Sequence, residues 1–330
     1  MPRRGRRVAL AALAAGLLYA APAMVAAQDF PSRPIEFIVP WGPGGGADQL
    51  ARKLGKLLEA RLKVSVPVIN VPGATGQTGL TKLLTAPADG YSIAVFVGPT
   101  FALLAGTPLP KWAMRDMEQL AVVMQQKSAF LVAEGGRFET WADLEKAART
   151  ERLRVAITGF GSDDDLAVNF LTTKGLRLAS VPMPKPGERY ASILGGHVEV
   201  LYEQIGDVRS FVDGKQMKPI LFFSEKRDAG YPDVPTAAEV GHMVSLPQFR
   251  SIIVRSGTDP GIVKKLGEVL ADTVRDPEYV AFLKHEYADP DSFVPAAGSG
   301  AFLDNLLKGM KQLIASSGVT NHVAQPEQKK

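Results

Sequence analysis

A short apolar run, "IEFIVP", gives way at Trp41 to three consecutive glycines, Gly44, Gly45 and Gly46, and then to a helical pattern from about Ala47 to Leu62. A glycine-rich turn between strand and helix lets a ligand approach bare backbone. It also leaves unpaired amides at a helix N-terminus, where anions are favoured. The same order recurs at once. "VPVIN" (Val66–Asn70) leads through "VPGATG" to a helix from about Gln77 to Thr85, and "SIAVFVG" (Ser92–Gly98) follows. Strands alternating with helices in this way imply a parallel sheet covered on its faces. Asp48 stands at the start of the first helix, where a carboxylate can accept orphan backbone N–H groups.

The pattern resumes as a second unit. "LAVVMQ" and "AFLVAE" predict strands near Leu120–Glu134, and "TWADLEKAART" a helix capped by Thr140. "LRVAITG" predicts a strand, followed by the turn "FGSDDD" and a helix from about Asp164 to Lys174. "VEVLYEQ", "MKPILFF" and "FRSIIVRSG" (Phe249–Gly257) read as further strands. Helices follow at about Pro260–Arg275, Pro277–His285 and Gly300–Ser316, with Pro260 and Pro277 in first turns. No fixed-period repeat is visible, and the closing "QPEQKK" is expected to fray. Two α/β units predict two lobes and a cleft. Ligands of open α/β sheets sit beyond the carboxyl ends of the strands, where both glycine turns and "TGFGSDDD" fall.

The first residues speak to the compartment. Arg3, Arg4, Arg6 and Arg7 precede an apolar run from Val8 to Ala21, and Val25 and Ala27 suit a cut before Gln28. This is the layout of a secretory signal peptide, too short and too rich in alanine for a membrane span. The leader's four arginines account for the whole excess of 38 basic over 34 acidic residues. The expected mature chain is therefore balanced, which argues against a nucleic-acid partner. With 0 cysteines, thiol nucleophiles and thiolate-held metals are excluded, and the core alone must hold the fold.

Nucleotide binding is also disfavoured. "GPGGGA" formally fits G-x-G-x-x-A, but a dinucleotide site needs an acid at the end of the second strand. That strand ends Asn70-Val71-Pro72, and no acid occurs between Glu59 and Asp89. A P-loop needs Gly-Lys-Ser/Thr where this helix begins Ala47-Asp48-Gln49. Two neighbouring helix N-termini can instead hold a small planar carboxylate without an arginine. His197, His242, His285 and His322 lack partners at metal-ligand spacing, and no G-x-S-x-G elbow occurs. No cofactor, metal or catalytic residue is expected. Met114, Met117 and Met124 read as packing residues.

Several stretches in order, "FPSRPIEFIVPWGPGGGADQLAR", "VINVPGATGQTGL", "APADGYSIAV", "RVAITGFGSDDDLA", "LGGHVEVLYEQ" and "SEKRDAGYPDVPTAAEVG", resemble the substrate-binding proteins of tripartite tricarboxylate transporters, the Bug-type family. The likeness runs on through "SGTDPGIVKKLGEVLADTVRDPEY" and covers nearly all of the expected mature chain. It implies a two-lobed periplasmic binding fold (type II-like), each lobe a mixed, mostly parallel sheet flanked by helices. It implies a periplasmic, non-enzymatic receptor, expected as a monomer, that closes on a small carboxylate and delivers it to membrane permease subunits. The expected division is a signal peptide at 1–27, the first lobe at 28–126, the second at 127–251, and a return to the first at 252–330. Carried over by the resemblance, the ligand would meet Trp41, Gly44, Gly45 and Gly46, then Gly73, Ala74, Thr75 and Gly76, then Pro99 and Thr100. Phe160, Gly161, Ser162 and Asp163 would serve from the second lobe.

Two departures from the family pattern lie where the far end of a ligand would be read. "ASVP" is followed by Met183-Pro184-Lys185-Pro186-Gly187 instead of Tyr-Lys-Gly, and the second-lobe turn carries Asp163-Asp164-Asp165 instead of hydroxyls. Lys185 and Glu203 join the candidate residues for that reason. Ser162 either meets the ligand or starts a helix, and the three aspartates either serve the helix dipole or face a ligand amine or hydroxyl. Glu203 and Asp207 either orient ligand or pair with Arg209 or Lys185. The rival functions are an exported enzyme acting on a small carboxylic acid and a sensor subunit that presents ligand to a signalling kinase.

Overall fold

The computed structural model describes residues 30–106, 110–242 and 244–318. The expected signal peptide, the closing "QPEQKK" and His322 lie outside the described residues.

The first lobe opens with β1 (Glu36–Val39), α1 (Gly46–Leu62), β2 (Val68–Asn70), α2 (Gln77–Thr85), β3 (Ser92–Val97), α3 (Gly98–Gly106) and β4 (Met117–Gln126). The second lobe holds β5 (Ser128–Ala133), α4 (Trp141–Ala148), β6 (Leu153–Ile157), α5 (Asp163–Thr173), β7 (Leu178–Pro182), α6 (Pro186–Leu194), β8 (Val200–Gln204), α7 (Arg209–Asp213) and β9 (Met217–Phe222). The chain then returns with β10 (Gln248–Arg255), α8 (Pro260–Thr273), α9 (Pro277–His285), β11 (Val294–Pro295) and α10 (Ala296–Ser317).

The strands form two sheets, β11-β4-β10-β3-β1-β2 and β7-β6-β8-β5-β9. Each is mixed. Its parallel part is three strands, β2-β1-β3 or β7-β6-β8, and strands that cross or return extend it in antiparallel pairing. Both lobes thus share one order: second strand, first, third, then crossing strands. β10 pairs with β4 from Gln248 onward, so the return to the first lobe falls before Gln248, earlier than the expected division after residue 251. An antiparallel strand needs the full ladder of its neighbour, which leaves no part of β10 for the second sheet.

β3 is buried almost throughout because helices cover both faces of the first sheet. Phe37, Val39, Ile93 and Val95 meet Leu50, Leu54 and Leu58 of α1 and Leu266 and Leu270 of α8. On the opposite face, Ile38, Ala94 and Phe96 pack with Leu80, Phe101 and Trp112. That second core continues into the other lobe through Phe130, Phe170 and Tyr202. Local signals are honoured: Thr140 caps α4 by accepting from Asp143 N, and Asp259 and Asp276 cap α8 and α9 just before their first-turn prolines. Five elements escape the sequence patterns: the half-exposed β7, α6, which starts on a proline, α3, which carries Pro99 and Thr100, and the short α7 and β11.

The two crossings run side by side, because β4 neighbours β10 and β5 neighbours β9. Lys127 alone joins β4 to β5 and reaches Asp228 at 2.9 Å. The end of α9 closes over this region: Gln126 Nε2 donates to the Glu286 carbonyl at 2.7 Å, and a Cβ at Gly206 would collide with that same carbonyl. Gly206→Ala should therefore cost about 1–3 kcal/mol of stability, read as a lower denaturant midpoint. An unchanged midpoint would show that the lobes yield freely at this contact.

Candidate functional site

The lobes close on each other around a cavity of about 50 Å³, room for a few water molecules. Its first-lobe wall is Trp41, Gly45, Gly46, Ala47, Val97 and Pro99, with Gln248 and Arg250 from β10. Its second-lobe wall is Thr158, Pro186, Arg189, Glu203, Gln204 and Asp207. The starts of α1, α3 and α6 all reach it, so three helix N-termini converge on one space.

The first glycine loop is built for close approach. Gly44 takes the left-handed φ of 83°, and its N–H donates to Asp48 Oδ2 at 3.0 Å. Asn70 Nδ2 clasps the same loop, donating to Asp48 Oδ1 and to the Trp41 carbonyl, each at 3.0 Å. Burial disfavours the Asp48 charge, but hydrogen bonds from Arg52, Gly44 and Asn70 outweigh it and hold the carboxyl below its usual range. Asp48 thus serves an orphan amide, as expected, though in reaching back to Gly44 it takes that amide from any ligand. Gly45 has φ −84°, so its glycine is required by contact: a Cβ there would lie 2.7 Å from Pro186 Cγ across the cleft. A Cβ on Gly46 would strike Asp207 and Arg250.

The second glycine loop does other work. Gly73, Ala74, Thr75 and Gly76 form a tight turn in which all four φ values are positive, including 48° and 54° at Ala74 and Thr75. Such a run is strained for residues with a Cβ. It carries Thr75 across the cleft, where Oγ1 donates to the Phe160 carbonyl at 3.4 Å and sits where a Cβ of Gly159 would be. The loop is therefore a closing contact beside the cavity and not part of its lining. Thr100 is packed under Gly76, and its buried hydroxyl makes no hydrogen bond among the described residues.

In the second lobe the aspartates divide their labour. Ser162 is the N-cap of α5 and accepts from Asp165 N, and its hydroxyl also contacts the Gly159 carbonyl and Asp164. Asp164 Oδ2 accepts from Thr158 N at 2.5 Å and Thr158 Oγ1 at 2.8 Å. Asp165 accepts from Gly161 N at 2.9 Å and from Ser180 at 2.7 Å. Asp163 is fully buried and makes no hydrogen bond of good geometry. Burial, and then the neighbouring Asp164, raise its carboxyl well above the usual range. Thr158 lines the cavity, and Ser162 and Asp164, bonded to Gly159 and Thr158, hold its loop without lining the cavity themselves.

Lys185 turns outward to Glu188, at 2.7 Å and largely exposed. Glu203 and Asp207 pair with neither Lys185 nor Arg209, which itself binds Asp213 at 2.8 Å. Arg189 Nη2 reaches Glu203 at 2.6 Å, and Arg250 Nη2 reaches Asp207 at 2.5 Å. Burial opposes the Arg189 charge, yet Glu203 outweighs it and the guanidinium stays protonated. The Asp207–Arg250 pair joins second lobe to first. These arginines, with Gln204 and Gln248, are the site residues that sequence reasoning missed. One signal was available: Arg250 interrupts an apolar strand, where a charge must be paired. Met124, expected as packing alone, turns its sulfur to Arg250 Nη1 at 2.8 Å.

Three buried donors at the cavity have no hydrogen-bond partner among the described residues: Trp41 Nε1, Arg189 Nε and Gln248 Nε2. Such groups are costly unless something supplies acceptors. The fold is that of a two-lobed periplasmic binding protein. The chain belongs to the tripartite tricarboxylate transporter family receptors, whose model matches residues 50–318.

Among curated relatives it is 27% identical to protein BugT of Bordetella pertussis over 292 residues, covering 86% of this chain and 89% of that one. A UPF0065 protein of Bordetella bronchiseptica is also 27% identical, over 279 residues, covering 83% of this chain and 80% of that one. The fold matches the periplasmic binding protein BugD with a TM-score of 0.81 at 22% identity, covering 88% of this chain and 99% of that one. It matches MatC from Rhodopseudomonas palustris with bound malate at 0.79 and 20% identity, covering 86% and 100%. A further match is an R. palustris protein with adipate, at 0.81 and 19% identity, covering 88% and 99%.

The buried acids predict an unusual pH dependence. Burial pushes Asp164 up to about 7 despite its Thr158 bonds, and Asp207 up to about 6 despite Arg250. Both lie above the unfolded value, so the folded state keeps protons that the unfolded state releases, and stability falls as pH rises through that window. His242, held below its usual range by burial, opposes this only as pH drops through the mid-sixes. Asp163, also raised, adds in the same direction, so stability should rise by at least about 1 kcal/mol from pH 8 to pH 6.5, and Asp164→Asn should reduce that rise. Equal slopes in urea titrations of both proteins would assign the dependence elsewhere.

Proposed function

We propose that this chain is an exported periplasmic receptor that captures a small carboxylate between its lobes and hands it to the permease subunits of a tripartite transporter. It acts as a monomer, without cofactor or catalysis. The observation that carries the reading is that Trp41 Nε1, Arg189 Nε and Gln248 Nε2 have no hydrogen-bond partner among the described residues, on three residues that line one cavity bordered by the first turns of α1, α3 and α6. A carboxylate offers about four lone pairs to such donors. Membership of the receptor family supports delivery to a permease, and the malate and adipate of two structural neighbours support the ligand class. The cavity of about 50 Å³ is smaller than such acids need, so capture requires the lobes to part and close again.

A thermal-shift screen of mono-, di- and tricarboxylates tests the reading, since a ligand bound only by the folded state raises the melting temperature by mass action. NMR of the ligand after long incubation should show it unchanged, and conversion would favour the enzyme reading. Trp41 borders the cavity, whereas Trp112 and Trp141 are core residues away from it. Binding should thus change tryptophan emission. Trp41→Phe should abolish the change and weaken binding about five- to tenfold, the value of roughly one hydrogen bond. A full emission change in Trp41→Phe would place the ligand elsewhere.

A further inference from the structure

The charged groups that line the cavity cancel. Arg189 and Arg250 are the basic residues there, Glu203 and Asp207 the acidic ones, and each arginine is already held by one of the acids at 2.6 and 2.5 Å. Lys185, the other cation expected at the site, is spent on Glu188 at the surface. Arg189 also lies in the field of Asp164. No uncommitted cation lines the cavity among the described residues.

What remains to meet an anion is the set of orphan donors and the helix termini. The starts of α1, α3 and α6 each bring roughly half an elementary charge, at most about one and a half together, and Asp48 and Glu188 in the first turns of α1 and α6 already offset part of it. What is left compensates one carboxylate at most and leaves a second unpaired within the cleft, where an uncompensated charge is expensive. Acceptors also remain for a donor. Glu203 Oε1 has a long bond of 3.3 Å from the Gln204 amide, and Asp207 gives both oxygens to a single arginine nitrogen.

We propose that the ligand carries one carboxylate, held by the Trp41 side and the helix termini, and a neutral or cationic donor at its other end, read by Glu203 and Asp207. This rests on the carboxylate reading above and narrows it. The two acids are then specificity residues: they neutralise the arginines that would otherwise take a second carboxylate, and they offer acceptors in its place.

The test compares three end groups on one carbon chain: succinate, succinamate and 4-aminobutyrate, with the corresponding sets from three to eight carbons. Calorimetry on the full mature protein should give the amide or the ammonium compound at least tenfold tighter binding than the dicarboxylate of equal length. Glu203→Gln frees Arg189 within the second lobe without touching the pair that joins the lobes. It should shift the ratio at least tenfold toward the dicarboxylate, with the circular dichroism spectrum unchanged. If dicarboxylates bind the wild type as tightly as their half-amides, this inference falls and the carboxylate reading stands. If no acid in the series binds, the carboxylate reading itself falls, and this one with it. The wild-type comparison decides the matter even if the variant misfolds.

Discussion

The buried pair between Asp207 and Arg250 governs how the two lobes meet. It spans from the turn after β8 to the strand that returns the chain to the first sheet, at 2.5 Å. Neither charge is tolerable alone in that environment, so each lobe exposes an uncompensated ion to the cleft until the other arrives. The pair also explains Gly46: a side chain there would occupy the space of both charged groups. The glycine loop, the salt bridge and the first turn of α1 are thus one device. The absence of a Cβ lets the helix terminus come close enough to the ion pair for both to border the same cavity.

Closure is paid for locally at the second glycine loop. Four successive left-handed residues from Gly73 to Gly76 hold Ala74 and Thr75 in a conformation that alanine and threonine disfavour. The result is that Thr75 stands against Gly159 and the Phe160 carbonyl of the opposite lobe. A relaxed turn would withdraw this hydroxyl. Opposing contacts at Gly45–Pro186 and at Gly206–Glu286 place bare backbone at two further points where the lobes touch. Glycine on one side at each contact lets rigid elements approach without rearranging side chains. The shared core through Phe101, Phe130 and Phe249 carries the load between the lobes away from the cleft.

Much of this was legible in the sequence because it is local. Period and punctuation gave α2 and α9 to the residue, and the Thr140 cap, because apolar spacing, prolines and capping hydroxyls act within a few residues. The loops that border the cleft were legible as glycine-rich turns at strand ends. What they contact was not. Asp48 read as an acceptor for an orphan amide and takes that of Gly44 from within the first turn, but its partner Asn70 is 22 residues away. Arg189 and Glu203 are separated by 14 residues, and Asp207 and Arg250 by 43. No local spacing links such groups; the sheet order does. The order itself, second strand before first and then third, repeats in both lobes without any fixed-period repeat in sequence.

The three aspartates show why composition alone misassigns a site. Acids at a helix start satisfy the dipole, and acids in a cleft can face a ligand; both readings fit "FGSDDD". Geometry separates them. Asp164 and Asp165 turn back to the amides of Thr158 and Gly161 and fold the loop on itself. That fold sets Thr158 into the cavity wall and hides the carboxylates behind it. Asp163, without a side-chain hydrogen-bond partner among the described residues, has its carboxyl raised well above the usual range by burial and by Asp164. Glu203 and Asp207 instead stand ion-paired at the cavity itself. The residues that make the loop conspicuous in sequence hold that loop in shape, and the charges that border the cavity lie in strand and turn, each disguised by its partner.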